Sequence, residues 1–439
     1  MTTTHHGHIE IDGAERGATL TVEPGRARVV ISLPAGSPAA PQRIDLLRFT
    51  SNSGYFTLLQ LDRREMSSRF GVAGLATYDC WLAIESGHFQ ALDEILSLSW
   101  SVHVRDVAKI LHVNGVQQQI NLHDAGGMSA MWVISSVSAI AVPCPDANLV
   151  LRFGQTINHS GTAIEGPKLT LRYPVEILFE QEVGPEEAIR TMHRVRLFLS
   201  MLMGRILPID EASVRFEIDG SPHVMPIHGI RRVEGGDKPG ARLVRSIDAA
   251  ELGRLLNQWL AHYDELEAAI RLHTSGLGPP ALPTELRFQI FVQALEALHR
   301  RTQANGTPID LPPVIQALRD NDVPSDVIGR VRAMLSRAHE PSLAFRLKQL
   351  WPRMAAELEV LQPGVNPNVF IGRVAATRNH YAHRTEVNDN VMQGTDLWNG
   401  TQIVKAISHM ALLLEIGTDV AGMGQEMRNR RFAEFAVEL

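Results

Sequence analysis

Apolar positions in the first 180 or so residues recur in short runs, many of them alternating with polar ones and bounded by Gly, Pro, Asn or Asp. Ala27-Arg-Val-Val-Ile-Ser-Leu, Tyr55-Phe-Thr-Leu-Leu-Gln-Leu, Met131-Trp-Val-Ile-Ser-Ser-Val-Ser-Ala-Ile and Lys168-Leu-Thr-Leu-Arg-Tyr are examples. They have strand length and are rich in β-branched and aromatic residues, which fit a pleated, half-buried surface. This part of the chain is therefore expected to form a sandwich or open barrel.

The first helical period begins at Pro185, where Glu186 and Glu187 suit a helix start. Ile189, Met192, Val195, Leu199 and Leu202 then trace one face up to Gly204. A short β-like segment, Ser213–Asp219, and a loop, Gly235–Gly240, follow. Beyond them the period is helical throughout. Asp248, with Glu251 three residues on, reads as a cap, and Leu252, Leu255, Trp259, Tyr263, Leu266 and Ile270 carry that helix to Gly276. After the breaker-rich stretch Gly276–Pro283, a long helix from Thr284 presents Phe288, Phe291, Leu295 and Leu298. Shorter helices are expected at 312–320, 325–338 and 342–361, the last kinked by Pro352. Val369, Phe370, Val374 and Ala375 mark another, and Trp398, Ile403, Ile407, Leu413 and Leu414 the last. The fold class is thus α+β: a β-rich domain over 1–240 that includes the 185–203 helix, then a helical region over 241–439 with a compact bundle from about residue 284.

Length supports this division, because 439 residues exceed the usual size of one core. Two cysteines, Cys80 and Cys144, allow at most one disulfide and too few thiolates for a structural zinc site, which points to a reducing cytoplasm. The amino-terminal stretch lacks a basic, then apolar, export pattern, and no run of eighteen apolar residues predicts a membrane span. The net charge is −6, yet residues 284–439 hold 17 Lys and Arg against 17 Asp and Glu. Any nucleic-acid contact must then be local.

One stretch carries residue types suited to chemistry: Arg378-Asn379-His380-Tyr381-Ala382-His383. Metal-independent cleavage of an RNA phosphodiester needs a base for the 2′-hydroxyl, an acid for the leaving 5′-oxygen and a cation on the phosphorane. Histidine titrates near neutrality and can be either base or acid, and the arginine fork supplies a fixed charge. Asn379 is suited to holding the phosphate or orienting the imidazole. On a continuous helix Arg378 and His383 lie about 140° apart around the axis and roughly 7.5 Å along it, so convergence is expected to require the helix to loosen at His380-Tyr381. Arg and His near a helix C-terminus also satisfy free carbonyls, which is the structural alternative for the same residues.

The pattern ending one helix of a bundle, with another long helix behind it, resembles the signature of the HEPN superfamily of RNases. Phe288-Gln-Ile-Phe-Val-Gln-Ala-Leu-Glu-Ala-Leu-His-Arg-Arg and Val374-Ala-Ala-Thr-Arg-Asn-His-Tyr-Ala-His-Arg resemble more narrowly the ApeA-type HEPN proteins of bacterial anti-phage defence. That resemblance implies a β-rich amino-terminal domain and a carboxy-terminal HEPN bundle. It implies Arg378 and His383 as a catalytic pair with Asn379 between them, a homodimer with two motifs facing one cleft, no metal or other cofactor, RNA such as tRNA as substrate, and a phage-derived trigger. His380, Tyr381 and Glu296 are candidates for substrate binding or support; Glu296 is as suited to pairing with Arg378 or bonding another site group as to facing solvent or pairing with Arg300. The alternative is a non-catalytic sensor whose bundle only dimerises.

Other clusters carry less. His5, His6 and His8 sit in a terminus expected to fray, and His103, His112 and His123 have no spacing that demands a shared ion. Arg190, Arg194 and Arg196 suggest a basic stripe, and Arg428, Arg430 and Arg431 a basic cluster. No phosphate-binding glycine loop, zinc-protease motif or nucleophile elbow is present.

Overall fold

The computed structural model describes residues 2–35, 40–67, 73–107, 110, 116–122, 128–134, 139–160, 168–230, 247–278, 282–302, 311–335, 341–383 and 386–429. The expected Gly235–Gly240 loop, part of the Gly276–Pro283 stretch, His112, His123, Arg430 and Arg431 lie outside them. Contacts group the chain into two units, Met1–Pro239 with Ser246–Ala261, and Gly240–Arg245 with His262–Leu439.

The alternation in the first unit builds a closed barrel. Strands β1 (Thr3–Ile11), β2 (Ala14–Glu23), β3 (Arg26–Leu33), β4 (Arg43–Ser51), β5 (Gly54–Ser67) and β6 (Gly74–Glu85) pair antiparallel in the order β6-β3-β2-β1-β4-β5. Pairing of β5 back onto β6 closes the ring and removes its edges. The β1–β2 hairpin turns at Asp12-Gly13, both at positive φ (53° and 72°), the conformation that matches strand twist in a two-residue turn. Leu20, Val29, Ile31, Phe49, Phe56, Leu58 and Tyr78 fill the interior. His5, His6 and His8 are part of β1, not a fraying end: the strand pairs from Thr3 onward with β2, His5 and His6 hydrogen-bond Ser53 and Thr19, and the His8 ring stands 3.6 Å from the Glu15 carboxylate.

Strand β6 also belongs to an open antiparallel sheet. Strands β7 (Ser97–Val104), β8 (Val116–Leu122), β9 (Met128–Ile134), β10 (Ile140–Cys144), β11 (Leu149–Phe153), β12 (Thr156–Ser160), β13 (Lys168–Arg172), β14 (Pro174–Val183), β15 (Ile209–Ile218) and β16 (Ser221–His228) follow in the chain. Their sheet runs β10-β11-β14-β7-β15-β16-β6, with β8–β9 and β12–β13 as separate hairpins. The expected 131–140 run is therefore parts of two strands, β9 and β10.

Helix α1 (Pro185–Met203) starts on its proline and stops at Gly204, which takes the left-handed conformation (φ 65°). Helix α2 (Ala249–Gly276) is capped by the Asp248 side chain, which accepts from the Glu251 amide at 2.8 Å. Within the first unit the Trp259 indole donates to the Arg194 carbonyl at 3.0 Å and its ring meets Phe198. The expected basic stripe on α1 does not form. Arg196 is buried and Arg190 pairs with Glu187 at 3.0 Å, because positions 190 and 196 fall on different faces of a 3.6-residue helix.

The second unit is helical: α3 (Thr284–Thr302), α4 (Leu311–Asp320), α5 (Ser325–Leu335), α6 (Leu343–Leu350), α7 (Ala355–Leu361), α8 (Pro367–His383) and α9 (Gly394–Glu415). Pro352 has the expected effect, turning the chain through a 3-10 segment, Trp351–Met354, between α6 and α7. Helix α9 packs along α3, while α6 lies against α8 and both touch α3. Phe288, Phe291, Leu295 and Leu298 of α3 and Val404, Ile407, Met410 and Ala411 of α9 are fully buried. The second half of α2 joins this core. There His273 bonds Ser408 and His409 of α9, each at 2.9 Å, so the apolar core contains one polar cluster.

Candidate functional site

The site is built at the C-terminal end of α8. Asn366 starts that helix, its side chain accepting from the amides of Asn368 and Val369. Phe370, Ile371, Val374 and Thr377 then make its buried face. Val369, expected on that face, is one position out of phase and 60% exposed. Helical phase puts Val369, Gly372, Ala376, Asn379 and His383 together on the opposite side, and all but the half-buried Ala376 are exposed.

The motif does not loosen at His380-Tyr381 as expected. Helix α8 continues through His383, since no residue from Thr377 to His383 is a proline or glycine that would stop it. Arg378 and His383 of one chain therefore keep their separation of about 140° and roughly 7.5 Å. Arg378 turns toward α3, where its Nη2 stands 3.5 Å from the Glu296 carboxylate, and its Nη1 donates to Asn379 Oδ1 at 3.2 Å. Glu296 is only 18% exposed and stands beside Arg378 as a charge partner, one of the pairings the sequence offered. His383 is exposed and makes no hydrogen bond or ion pair to another described residue. The next residues, Arg384 and Thr385, lie outside the described ones.

Between these two, the rings of His380 and Tyr381 meet edge to face, with centroids 5.0 Å apart. Burial raises the Tyr381 phenol above its usual pKa, and the charge of Glu285 in the first turn of α3 adds to the rise. Tyr381 therefore stays protonated and can donate at neutral pH.

Three supporting residues were not singled out from the sequence. Thr377 is fully buried, and its hydroxyl accepts from the Met392 amide at 2.9 Å, fastening the segment after the motif to α8. Arg373 pairs with Asp396 at 2.9 Å, which holds the start of α9 beside α8. A polar residue on the buried phase of an otherwise apolar stripe was the signal for Thr377. Deeper in the bundle, Arg346 donates to His299 Nδ1 at 3.0 Å, so the imidazole's Nε2 carries the proton facing Gln349 at 2.5 Å. Burial lowers the His299 pKa; the Gln349 bond opposes and Arg346 reinforces that shift. Among the described residues no three His, Cys, Asp or Glu side chains gather as a metal site would need, and no helix is long and apolar enough to cross a membrane.

Comparison with known families agrees with this two-part architecture. The family ApeA N-terminal domain 1 matches residues 6–240, more than half of the chain, and Apea-like HEPN matches residues 290–420. The chain belongs to the ApeA-type HEPN family. Its HEPN match contains α8, with the whole Arg378–His383 motif, and Glu296 of α3. Its ApeA match contains the six-stranded barrel, the open sheet and α1. Membership supports a defence protein of the HEPN type. No curated protein and no solved structure matches the chain.

Proposed function

We propose that this ApeA-type HEPN protein is an endoribonuclease acting in abortive infection in the bacterial cytoplasm, without a metal ion or other cofactor, and that its β-rich unit senses a phage-derived trigger or restrains the nuclease. RNA, with tRNA one candidate, is the substrate. In the reaction the 2′-hydroxyl loses its proton to an imidazole and its oxygen bonds the adjacent phosphorus. The P–O5′ bond breaks, and the 5′-oxygen takes up a proton. The products are a 2′,3′-cyclic phosphate and a 5′-hydroxyl. Arg378 neutralises charge on the non-bridging oxygens, His383 moves the proton, and Asn379 positions the phosphate. His380 and Tyr381 contact the substrate beside them.

The observation that carries the reading is Arg378 held by Glu296 on a family-matched helix whose last residue, His383, is open. The separation of that pair within one chain is the reason for a homodimer. The exposed Val369, Gly372 and His383 share a helix side, so a second copy packed there brings its own motif into reach. To test this, wild-type protein and the R378A and H383A variants are incubated with tRNA and total RNA, with and without EDTA. The expected result is EDTA-resistant cleavage ending in cyclic phosphate, lowered about 10²- to 10³-fold by either substitution, the scale for loss of one transition-state contact. Cleavage by both variants at the wild-type rate would overturn the assignment.

A further inference from the structure

We propose that an exposed apolar patch on the open sheet of the first unit docks a cationic amphipathic segment of a partner protein. Alternation along β7 and β15 turns Leu98, Trp100, Val102, Val214, Phe216 and Ile218 to one face of the sheet. Helix α1 packs on β7 and β14, and Trp100, Val102 and Val214 are fully buried. Where β7 begins and β15 ends, that cover stops: Leu98 is 47% exposed and Ile218 40%. Extending the Ser99–Arg215 register along both strands sets Leu98 beside Phe216 and Leu96, itself 39% exposed, beside Ile218. Phe216 closes the floor, its ring centroid 4.9 Å from that of Phe89. Single exposed leucines are ordinary on a protein surface, whereas large apolar side chains grouped on adjacent strands and rimmed by charge mark an interaction site.

The charge of the rim selects the partner. Val183 of β14 pairs with Ser97, so the segments 92–98, 182–186 and 216–219 build and flank the patch, and they contain no Lys or Arg. They supply Asp93, Glu94, Glu182, Glu186 and Asp219, none of which forms an ion pair with another described residue. Glu94 accepts from the Gln90 amide and Glu186 from the Gln60 side chain, contacts that leave both charges uncompensated. Arg215 points to the opposite face and pairs with Glu176, while His223, in register with Phe216 on β16, is an imidazole and not a fixed charge. Uncompensated carboxylates around an apolar floor repel phosphate and anionic lipid and attract Lys and Arg. They equally oppose a second copy of this unit, whose own patch is as acidic. A segment with apolar side chains on one side and Lys or Arg beside them satisfies both floor and rim. The surface is independent of the nuclease reading.

The probe is a fluorescent peptide of about eighteen residues, five helical turns, with Leu on one face and Lys on the other; its control carries Glu in place of Lys. Anisotropy is followed as full-length protein is added at about 0.1 M salt, where charges separated by more than about 10 Å are screened. The L98Q/I218Q variant, which removes the apolar floor, and D93N/E182Q, which weakens the rim, are measured in parallel. The expected result is saturable binding of the Leu/Lys peptide and none of the Leu/Glu control, with affinity lowered tenfold or more in L98Q/I218Q and about threefold in D93N/E182Q. No saturable binding, binding undiminished in L98Q/I218Q, or equal binding of the two peptides overturns the proposal. Sedimentation of the protein alone assigns the face to a second copy if L98Q/I218Q lowers the association state, and flotation with phosphatidylcholine vesicles assigns it to a lipid surface if that variant abolishes it; either result overturns the proposal too. All four substituted residues are exposed, so the variants are expected to fold, which circular dichroism and melting check.

Discussion

Glu296 and Arg378 meet across α3 and α8 with carboxylate oxygen and guanidinium nitrogen 3.5 Å apart, and the arginine is one-third exposed. A pair that open to solvent contributes under about 1 kcal/mol to stability, so its role is to orient the guanidinium rather than to hold the bundle together. Substitution of Glu296 by Gln is expected to lower RNA cleavage roughly tenfold, equivalent to about 1.4 kcal/mol in the barrier, while the melting temperature stays within a few degrees. Cleavage kinetics beside a thermal melt check this. A large loss of stability with unchanged specific activity would show that Glu296 is purely structural.

Thr377 to Val keeps the side-chain shape but leaves the Met392 amide without its acceptor. The expected cost is about 1–3 kcal/mol, as for any buried donor stripped of its partner. Hydrogen exchange at Met392 should accelerate in the variant while exchange in the barrel does not change. Equal exchange at Met392 in both proteins would remove Thr377 from this role.

His273 is fully buried, and burial first, then His409 and Lys405, hold its pKa well below the ordinary histidine value. The folded state therefore binds fewer protons there than the unfolded chain. The stability from the neutral ring is complete above the unfolded pKa of about 6.5 and is lost as pH falls below it, by at most about 1.4 kcal/mol per pH unit for this one group. Ser408, His409 and Lys405 on α9 and Phe291 on α3 are the groups around the ring. Melting between pH 7.5 and 5 should show the decline, and H273Q should flatten it. The buried His299, also lowered by burial, is expected to leave a residual slope.

Cys80 and Cys144 are both free and buried, so the single disulfide the composition allowed does not form. Burial pushes the Cys144 thiol up to about 12, and burial together with Asp79 raises Cys80 further. Neither thiol should react with an alkylating reagent at pH 8 unless denaturant is added, because the thiolate is the reactive form. Mass spectrometry after iodoacetamide treatment reads this directly.

Much of the architecture was legible because side-chain period follows backbone geometry. Pro185 and Gly204 bracket α1, Asp248 caps α2, and Pro352 breaks the α6–α7 run, each through a local steric or hydrogen-bonding rule. The Asp12-Gly13 and Asp219-Gly220 hairpin turns were equally local signals and pass unnoticed in a reading by apolar period alone. Closure of the barrel was different. The pairings of β1 with β4 and of β3 with β6 join strands distant in the chain whose alternation would equally suit a sandwich.

The candidate site divides along the same line. The amino-acid order by itself determined that Arg378, Asn379 and His383 lie at one helix end, and that a five-residue spacing, about 140° around a continuous helix, keeps the arginine and the terminal histidine on different sides. Only the tertiary structure decided that the helix runs unbroken through His383, that Glu296 rather than another acid takes Arg378, and that Thr377 fastens the segment beyond the motif. The reason is physical: helical phase is set by neighbours along the chain. Charge partners and helix ends depend on which distant elements pack close enough to supply a hydrogen bond or exclude water.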